Sequence, residues 1–223
     1  MGTTEISHRL RAGPSHVWQM LNDWWLNIDT THDPEAVSEE CEREGLSDYR
    51  AQYQGANYLY LEQIARLLTR DSPNRLTFYD VGCGKGRPLC VAARHAFRKV
   101  VGVELREDLC EAARENARKL RGRVAPIEVV CGDAGNVDYS DGDVFFFFNP
   151  FGAPTLRAVM DSIHRSLTLA PRRVRMIYYN AVHEEVLREC PWLECYGLLP
   201  TFSGVRVSFW RNRMIPEGKR GVA

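Results

Sequence analysis

A chain of 223 residues, 44% of them hydrophobic, suffices for one domain with a sizeable core and leaves little room for a second. Lys plus Arg and Asp plus Glu number 29 each, so net charge gives no global reason to expect nucleic acid or a membrane surface as a partner. No apolar run approaches the roughly 20 residues of a membrane span, and Met1-Gly2-Thr3-Thr4-Glu5 lacks a signal-peptide core, so a cytoplasmic chain is expected.

The first 75 residues read as helical. Pro14 stands at a helix start, and Val17, Trp18, Met20, Leu21, Trp24, Trp25 and Ile28 follow at i, i+3, i+4, i+7 spacing. This predicts an amphipathic helix whose aromatic face packs inward, with Trp24 or Trp25 available to line a pocket. Asp33-Pro34-Glu35 looks like a second helix start, running to Gly45 as its C-cap. A third helix is predicted over approximately Ala56 to Thr69, with Leu59, Ile64, Leu67 and Leu68 facing inward. Together they form a helical layer or lid over residues 1–75.

From Leu76 the pattern becomes strand, helix, strand, helix, which implies a parallel sheet with right-handed crossovers. Strands are predicted at Leu76–Val81, Lys99–Glu104, Pro126–Cys131, Asp143–Phe148 and Val174–Tyr179. Helices follow at about Arg87–Phe97, Glu107–Leu120, Ala153–Leu167 and Ala181–Arg188. Two closing strands near Trp192–Leu199 and Val205–Arg213 suit an antiparallel terminal hairpin. The expected architecture is therefore α/β: a Rossmann-like, seven-stranded, mostly parallel sheet with helices on both faces. Its core spans residues 76–215, and residues 216–223 form a tail. The seven cysteines read as reduced thiols, and their spacing offers no metal site.

Chemistry concentrates at the strand ends. The first strand runs into Asp80-Val81-Gly82-Cys83-Gly84-Lys85-Gly86-Arg87, a turn whose glycines let backbone approach a ligand. A dinucleotide fingerprint would need Gly or Ala at position 87, which holds Arg87, so an NAD-dependent oxidoreductase is disfavoured. Asp80, two residues before the first glycine, suits a ligand bearing an ammonium better than a pyrophosphate. The second strand ends in Glu104, placed beside the turn, where a carboxylate can accept from both hydroxyls of a ribose. The third leads to Gly132-Asp133-Ala134. The fourth ends in Asn149-Pro150-Phe151-Gly152.

This ordered set resembles the class I, Rossmann-like S-adenosylmethionine-dependent methyltransferases, over approximately Leu76 to Arg213. Within them it looks like a group of small bacterial-type members without assigned substrates and, more distantly, the non-SET histone-lysine methyltransferases. The resemblance implies S-adenosyl-L-methionine as cofactor and a methyl acceptor that the sequence does not identify, a small molecule or protein side chain. It implies that Gly82, Gly84 and Gly86, with Cys83 between them, accommodate the methionine portion and Asp80 its ammonium. Glu104 would hold the ribose, Leu105 would neighbour it, and Asp133 with Ala134 would take the adenine. A tyrosine ahead of the first strand would cover the cofactor, with Tyr53 as the candidate. Asn149 and Phe151 resemble the N-P-P-Y/F motif of enzymes that methylate planar amino groups, but the second proline is missing. His183, after the fifth strand, is a candidate proton acceptor or, alternatively, a capping residue. Lys85 and Arg87 sit at the turn and helix start, where a cation opposes the helix dipole, and could there meet a ligand carboxylate or a neighbouring acid such as Asp80 or Glu104. The competing functional class is a binding module that keeps the fold without turnover.

Overall fold

A computed structural model of the chain describes residues 14–31, 56–70, 72–201 and 205–213. In chain order the elements are α1 (Pro14–Leu26), α2 (Tyr58–Thr69), β1 (Thr77–Val81), α3 (Arg87–Ala92), β2 (Lys99–Glu104) and α4 (Glu107–Lys119). There follow β3 (Ile127–Cys131), a 3₁₀ turn (Ala134–Asn136), β4 (Val144–Phe148), α5 (Ala153–Leu169), β5 (Arg175–Tyr179), α6 (Glu184–Arg188), β6 (Leu193–Pro200) and β7 (Arg206–Asn212). The expected Asp33–Gly45 helix and Tyr53 lie outside the described residues.

The seven strands form one sheet in the order β3-β2-β1-β4-β5-β7-β6. β1 to β5 are parallel, and β7 inserts antiparallel between β5 and β6. Chain order reverses between β1 and β4, so the turns after these strands flank the crevice where open α/β sheets bind ligands.

Alternation along the strands divides the interior in two. Tyr79, Val81, Phe145, Phe147, Met176 and Tyr178 face Leu156, Val159, Met160 and Ile163 of α5. Phe78, Val100, Phe146 and Ile177 face the other side, with Leu61 and Ile64 of α2 and Leu89 and Val91 of α3. Burial on both faces accounts for the run of four phenylalanines in β4.

Three expectations need correction. The buried stripe of α2 is Leu61, Ile64, Ala65 and Leu68, whereas Leu59 and Leu67 are exposed. Asn57 starts that helix by accepting from the Leu59 N–H at 2.9 Å. The α3 helix ends at Ala92, short of Phe97, because the Ala93 carbonyl turns away to accept from the backbone N–H groups of Val124 and Ala125.

The third correction concerns α1, which is rotated so that its apolar face points outward. Val17, Trp18, Leu21, Trp24 and Trp25 are exposed, while Asp23 and Leu26 are buried. Polar pairing explains the rotation. Both Asp23 oxygens accept from the Thr30 hydroxyl, Oδ2 accepts from the Thr30 N–H, and Oδ1 accepts from the Tyr58 hydroxyl. The Arg87 Nε lies 3.9 Å from Asp23 Oδ1. An acid docked this way fixes the helix more firmly than its apolar stripe could. Among the described residues, no helix is long and apolar enough to cross a membrane.

Candidate functional site

The turn after β1 follows a path that side chains resist: φ is +76° at Gly82, +53° at Gly84 and +82° at Gly86. The N–H groups of Gly82 and Cys83 donate to the Val103 carbonyl at 2.8 and 2.9 Å, tying the turn to β2. Its two sides differ. A Cβ at Gly82 would overlap the Pro150 ring, so the turn after β4 closes directly over this residue, while a Cβ at Gly84 would meet nothing within 4 Å.

This contrast gives a paired prediction. Gly82→Ala combines left-handed strain with steric overlap and should cost more than about 2 kcal/mol in denaturant unfolding. Gly84→Ala carries only the strain, about 1 kcal/mol, but places a methyl in the open space of the turn. It should therefore reduce ligand affinity more than stability. Equal stability losses in the two variants would contradict the assigned geometry.

Asp80 is 1% exposed, and its Oδ2 accepts from the Leu89 N–H at 3.1 Å, capping the first turn of α3. Burial pushes its carboxyl up to about 8; the Leu89 bond opposes this, and the charge of Glu104 adds to it. A folded value above the unfolded one of about 4 means the folded protein binds more protons between those limits. The group's contribution to stability is then full below pH about 4 and is lost as pH rises towards about 8. Asp80→Asn, which keeps an acceptor for Leu89, should remove that slope, so the wild type minus variant stability difference should fall across this range. A difference independent of pH would refute the assignment.

Cys83 packs beneath the turn: a Cβ at Gly102 would sit 2.8 Å from its Sγ, and burial raises its thiol pKa well above the ordinary range. Its side chain therefore supports the turn from inside.

Glu104 lies at the centre of the exposed ledge. Its Oε2 accepts from the Gly84 N–H at 2.9 Å, and its Oε1 accepts from the N–H groups of Leu105 and Arg106 at 2.9 and 3.1 Å. Leu105 follows with 70% of its surface exposed. The Glu104 carbonyl accepts from the Gly132 N–H at 2.8 Å, which brings the end of β3 alongside, and a Cβ at Gly132 would also meet nothing within 4 Å. Asp133 is exposed and caps the 3₁₀ turn through Gly135 N–H and the Asn136 side chain, while Ala134 is buried behind it. Gly84, Glu104, Leu105, Gly132 and Asp133 thus make an open strip of carboxylate, apolar side chain and second carboxylate.

At the end of β4, Asn149 adopts φ +41°, and its Oδ1 accepts from the Tyr178 hydroxyl at 3.1 Å. Tyr178 is fully buried, and its oxygen also accepts from the His183 N–H at 3.2 Å, so one phenol joins the turns after β4 and β5. The sequence placed Tyr178 only within the fifth strand and gave it no site role. The available signal was that a buried tyrosine hydroxyl requires a partner. Phe151 packs partly against the α5 side of the core. The His183 ring is 3.3 Å from Glu185 Oε1, at the N-cap of α6.

Lys85 and Arg87 serve the α1–strap unit. The Lys85 Nζ donates to the Thr31 carbonyl at 2.8 Å. Arg87, 4% exposed, donates from Nε to the Thr30 hydroxyl at 2.7 Å, and from its terminal nitrogens to Gln19 Oε1 at 2.8 Å and the Thr30 carbonyl at 3.3 Å. Asn116 joins Asp29 to the Lys85 carbonyl, so residues 27–31 form a strap held to α4 and the glycine turn.

Residues 78–169 match the family model of the methyltransferase domain. The 24-methylenesterol C-methyltransferase 2 of Oryza sativa subsp. japonica is 33% identical over 115 residues, half of this chain. The match spans only 31% of that enzyme's length. Among solved structures, the magnesium protoporphyrin IX methyltransferase of Synechocystis PCC 6803, with bound S-adenosylmethionine, superposes with TM-score 0.53 at 15% identity, covering 83% of this chain and all of that one. The O-methyltransferase of Bacillus cereus, in complex with S-adenosylhomocysteine, gives 0.53 at 16%, covering 83% and 93%. An RNA methyltransferase of Salinibacter ruber with S-adenosylhomocysteine gives 0.50 at 22%, covering 70% and 94%. With this sheet order and these strand-end turns, the chain has the α/β fold of these methyltransferases, and the methyltransferase domain model matches it over residues 78–169.

Proposed function

We propose that this protein transfers a methyl group from S-adenosylmethionine to an acceptor held over the ends of β4 and β5. The supporting observation is the open strip beside Gly84, whose chemistry suits an adenosine. Glu104 provides carboxylate oxygens for ribose hydroxyls, Leu105 an exposed apolar surface for the base, and Asp133 an acceptor for its amino group. The strip is open over Gly84 and closed over Gly82 by Pro150, so a methionine tail passes over Gly84, with Asp80 beneath the turn.

The cofactor supplies a methyl group activated by its sulfonium. The chain's own contribution is alignment and exclusion of water. Asn149, whose Oδ1 has two lone pairs and accepts from the Tyr178 hydroxyl, stands at the end of β4 on the acceptor side. Phe151 and His183 flank that side on the adjoining turns, and an acceptor presenting a nitrogen suits this amide. A cytoplasmic location belongs to the same reading.

Calorimetric titration of the folded protein with S-adenosylhomocysteine tests the cofactor assignment. Saturable binding with one site per chain is expected, and no heat up to millimolar ligand would overturn it. Release of S-adenosylhomocysteine in extract, dependent on the protein, separates an enzyme from a binding module that never turns over.

A further inference from the structure

We infer that the outward face of α1 is a docking surface for an anionic lipid membrane, with the helix lying along the interface. Five large apolar side chains, Val17, Trp18, Leu21, Trp24 and Trp25, are between 43 and 73% exposed. At helical spacing they fall within an arc of about 120°. A contiguous aromatic face of this kind on a soluble domain marks an interaction site. Three of the five are tryptophans, the residue type that settles at the headgroup level of a bilayer.

Charge at the rim selects the occupant. The only carboxylate within Pro14–Leu26 is Asp23, which is buried against Thr30 and Tyr58. Arg94 lies over the Trp25 ring at 4.7 Å. The end of α4 reaches the same edge: Asn27 donates to the Lys119 carbonyl, the Arg121 N–H donates to the Leu26 carbonyl, and the Arg121 side chain donates to the Trp25 carbonyl. Arg118, Lys119, Arg121 and Arg123 are exposed there, followed by exposed Val124. Glu115 pairs with Arg118 and Lys119 and offsets one of these charges. Among the described residues, Arg94, Arg118, Lys119, Arg121 and Arg123 at this edge outnumber the acids beside it. Those acids are Glu115, Glu62 paired with Arg94 at 2.5 Å, and exposed Asp29 next to Trp24. A tryptophan face with this surplus of cations complements anionic headgroups over an acyl boundary. The chain's zero net charge hides this clustering.

The strap makes the surface relevant to the crevice. Residues 27–31 leave α1 and reach the glycine turn through Lys85 and Arg87. A lipid-bound α1 therefore presents the crevice at a fixed distance from the membrane.

The test uses the full chain with vesicles of phosphatidylcholine alone or with about 30% phosphatidylglycerol, at low and high salt. Flotation with the anionic vesicles, a blue shift of tryptophan emission and about tenfold weaker binding at high salt are expected. The double substitution Leu21→Ser with Trp24→Ser, at exposed positions, should weaken vesicle binding by at least about tenfold while far-ultraviolet circular dichroism stays unchanged. Glu104→Ala should bind vesicles like the wild type, so failure of the cofactor assignment and failure of this one are separable. Absence of flotation, or equal flotation with neutral vesicles, would overturn the inference. So would a dimer in sedimentation equilibrium that the same double substitution dissolves, since the face would then be a contact between copies.

Discussion

Replacing Glu104 with alanine is expected to weaken S-adenosylhomocysteine binding by about 100-fold or more. Hydrogen bonds to a charged group contribute about 1.5–3 kcal/mol each, and two ribose hydroxyls can share this carboxylate. Its oxygens already accept from Gly84, Leu105 and Arg106 N–H groups, so the same side chain shapes the ledge it stands on. Glu104→Gln separates the two effects. It keeps the size and one acceptor oxygen, and should leave affinity between the wild type and the alanine variant. Calorimetry reads the affinity and thermal unfolding the shape. An alanine variant within about threefold of the wild type would remove Glu104 from the cofactor site, whatever its effect on stability.

Arg87→Met should produce the largest loss of stability, about 3–5 kcal/mol, because it leaves the buried Asp23 carboxylate without its cation. It also removes donors to Thr30 and Gln19 and the cation over the Tyr58 ring at 5.1 Å. In a domain of this size the loss corresponds to a fall in Tm of about 10 °C. Arg87→Lys should recover little, since a single ammonium cannot reach Asp23, Thr30, Gln19 and the Tyr58 ring at once. Adding Asp23→Asn to Arg87→Met should restore part of the loss, giving a non-additive cycle. A single-variant loss below about 1 kcal/mol, or strict additivity, would show that this cluster does not hold the strap.

The strand ends were readable because each announces itself locally. An apolar run stops at Asp80, Glu104 or Asn149, and parallel topology places all such stops on one edge of the sheet. The orientation of α1 was not readable in that way. Its spacing favoured burial of Trp24 and Trp25, but Asp23 finds partners from three separate segments, and no periodicity reports those. Arg87 shows the same limit. Its presence excluded a dinucleotide fingerprint, yet its purpose lay in residues some 60 positions earlier. Tyr178 was hidden by its own strand pattern, because a buried phenol and a buried phenylalanine occupy similar places in an alternation. Asp133 was assigned through its position after β3, and its capping bonds to Gly135 and Asn136 use only part of its acceptor capacity.

If the proposed methyl transfer holds, the seat of Pro150 on Gly82 bears on any attempt to change its acceptor. The two loops on either side of the crevice meet as interlocking parts, so altering one shifts the other. Libraries aimed at new acceptors should diversify positions 149 and 151 and leave the proline between them alone. Bulk added at 150 would press first on Gly82, and on the proposed reading that turn carries the donor, so its affinity should fall with it.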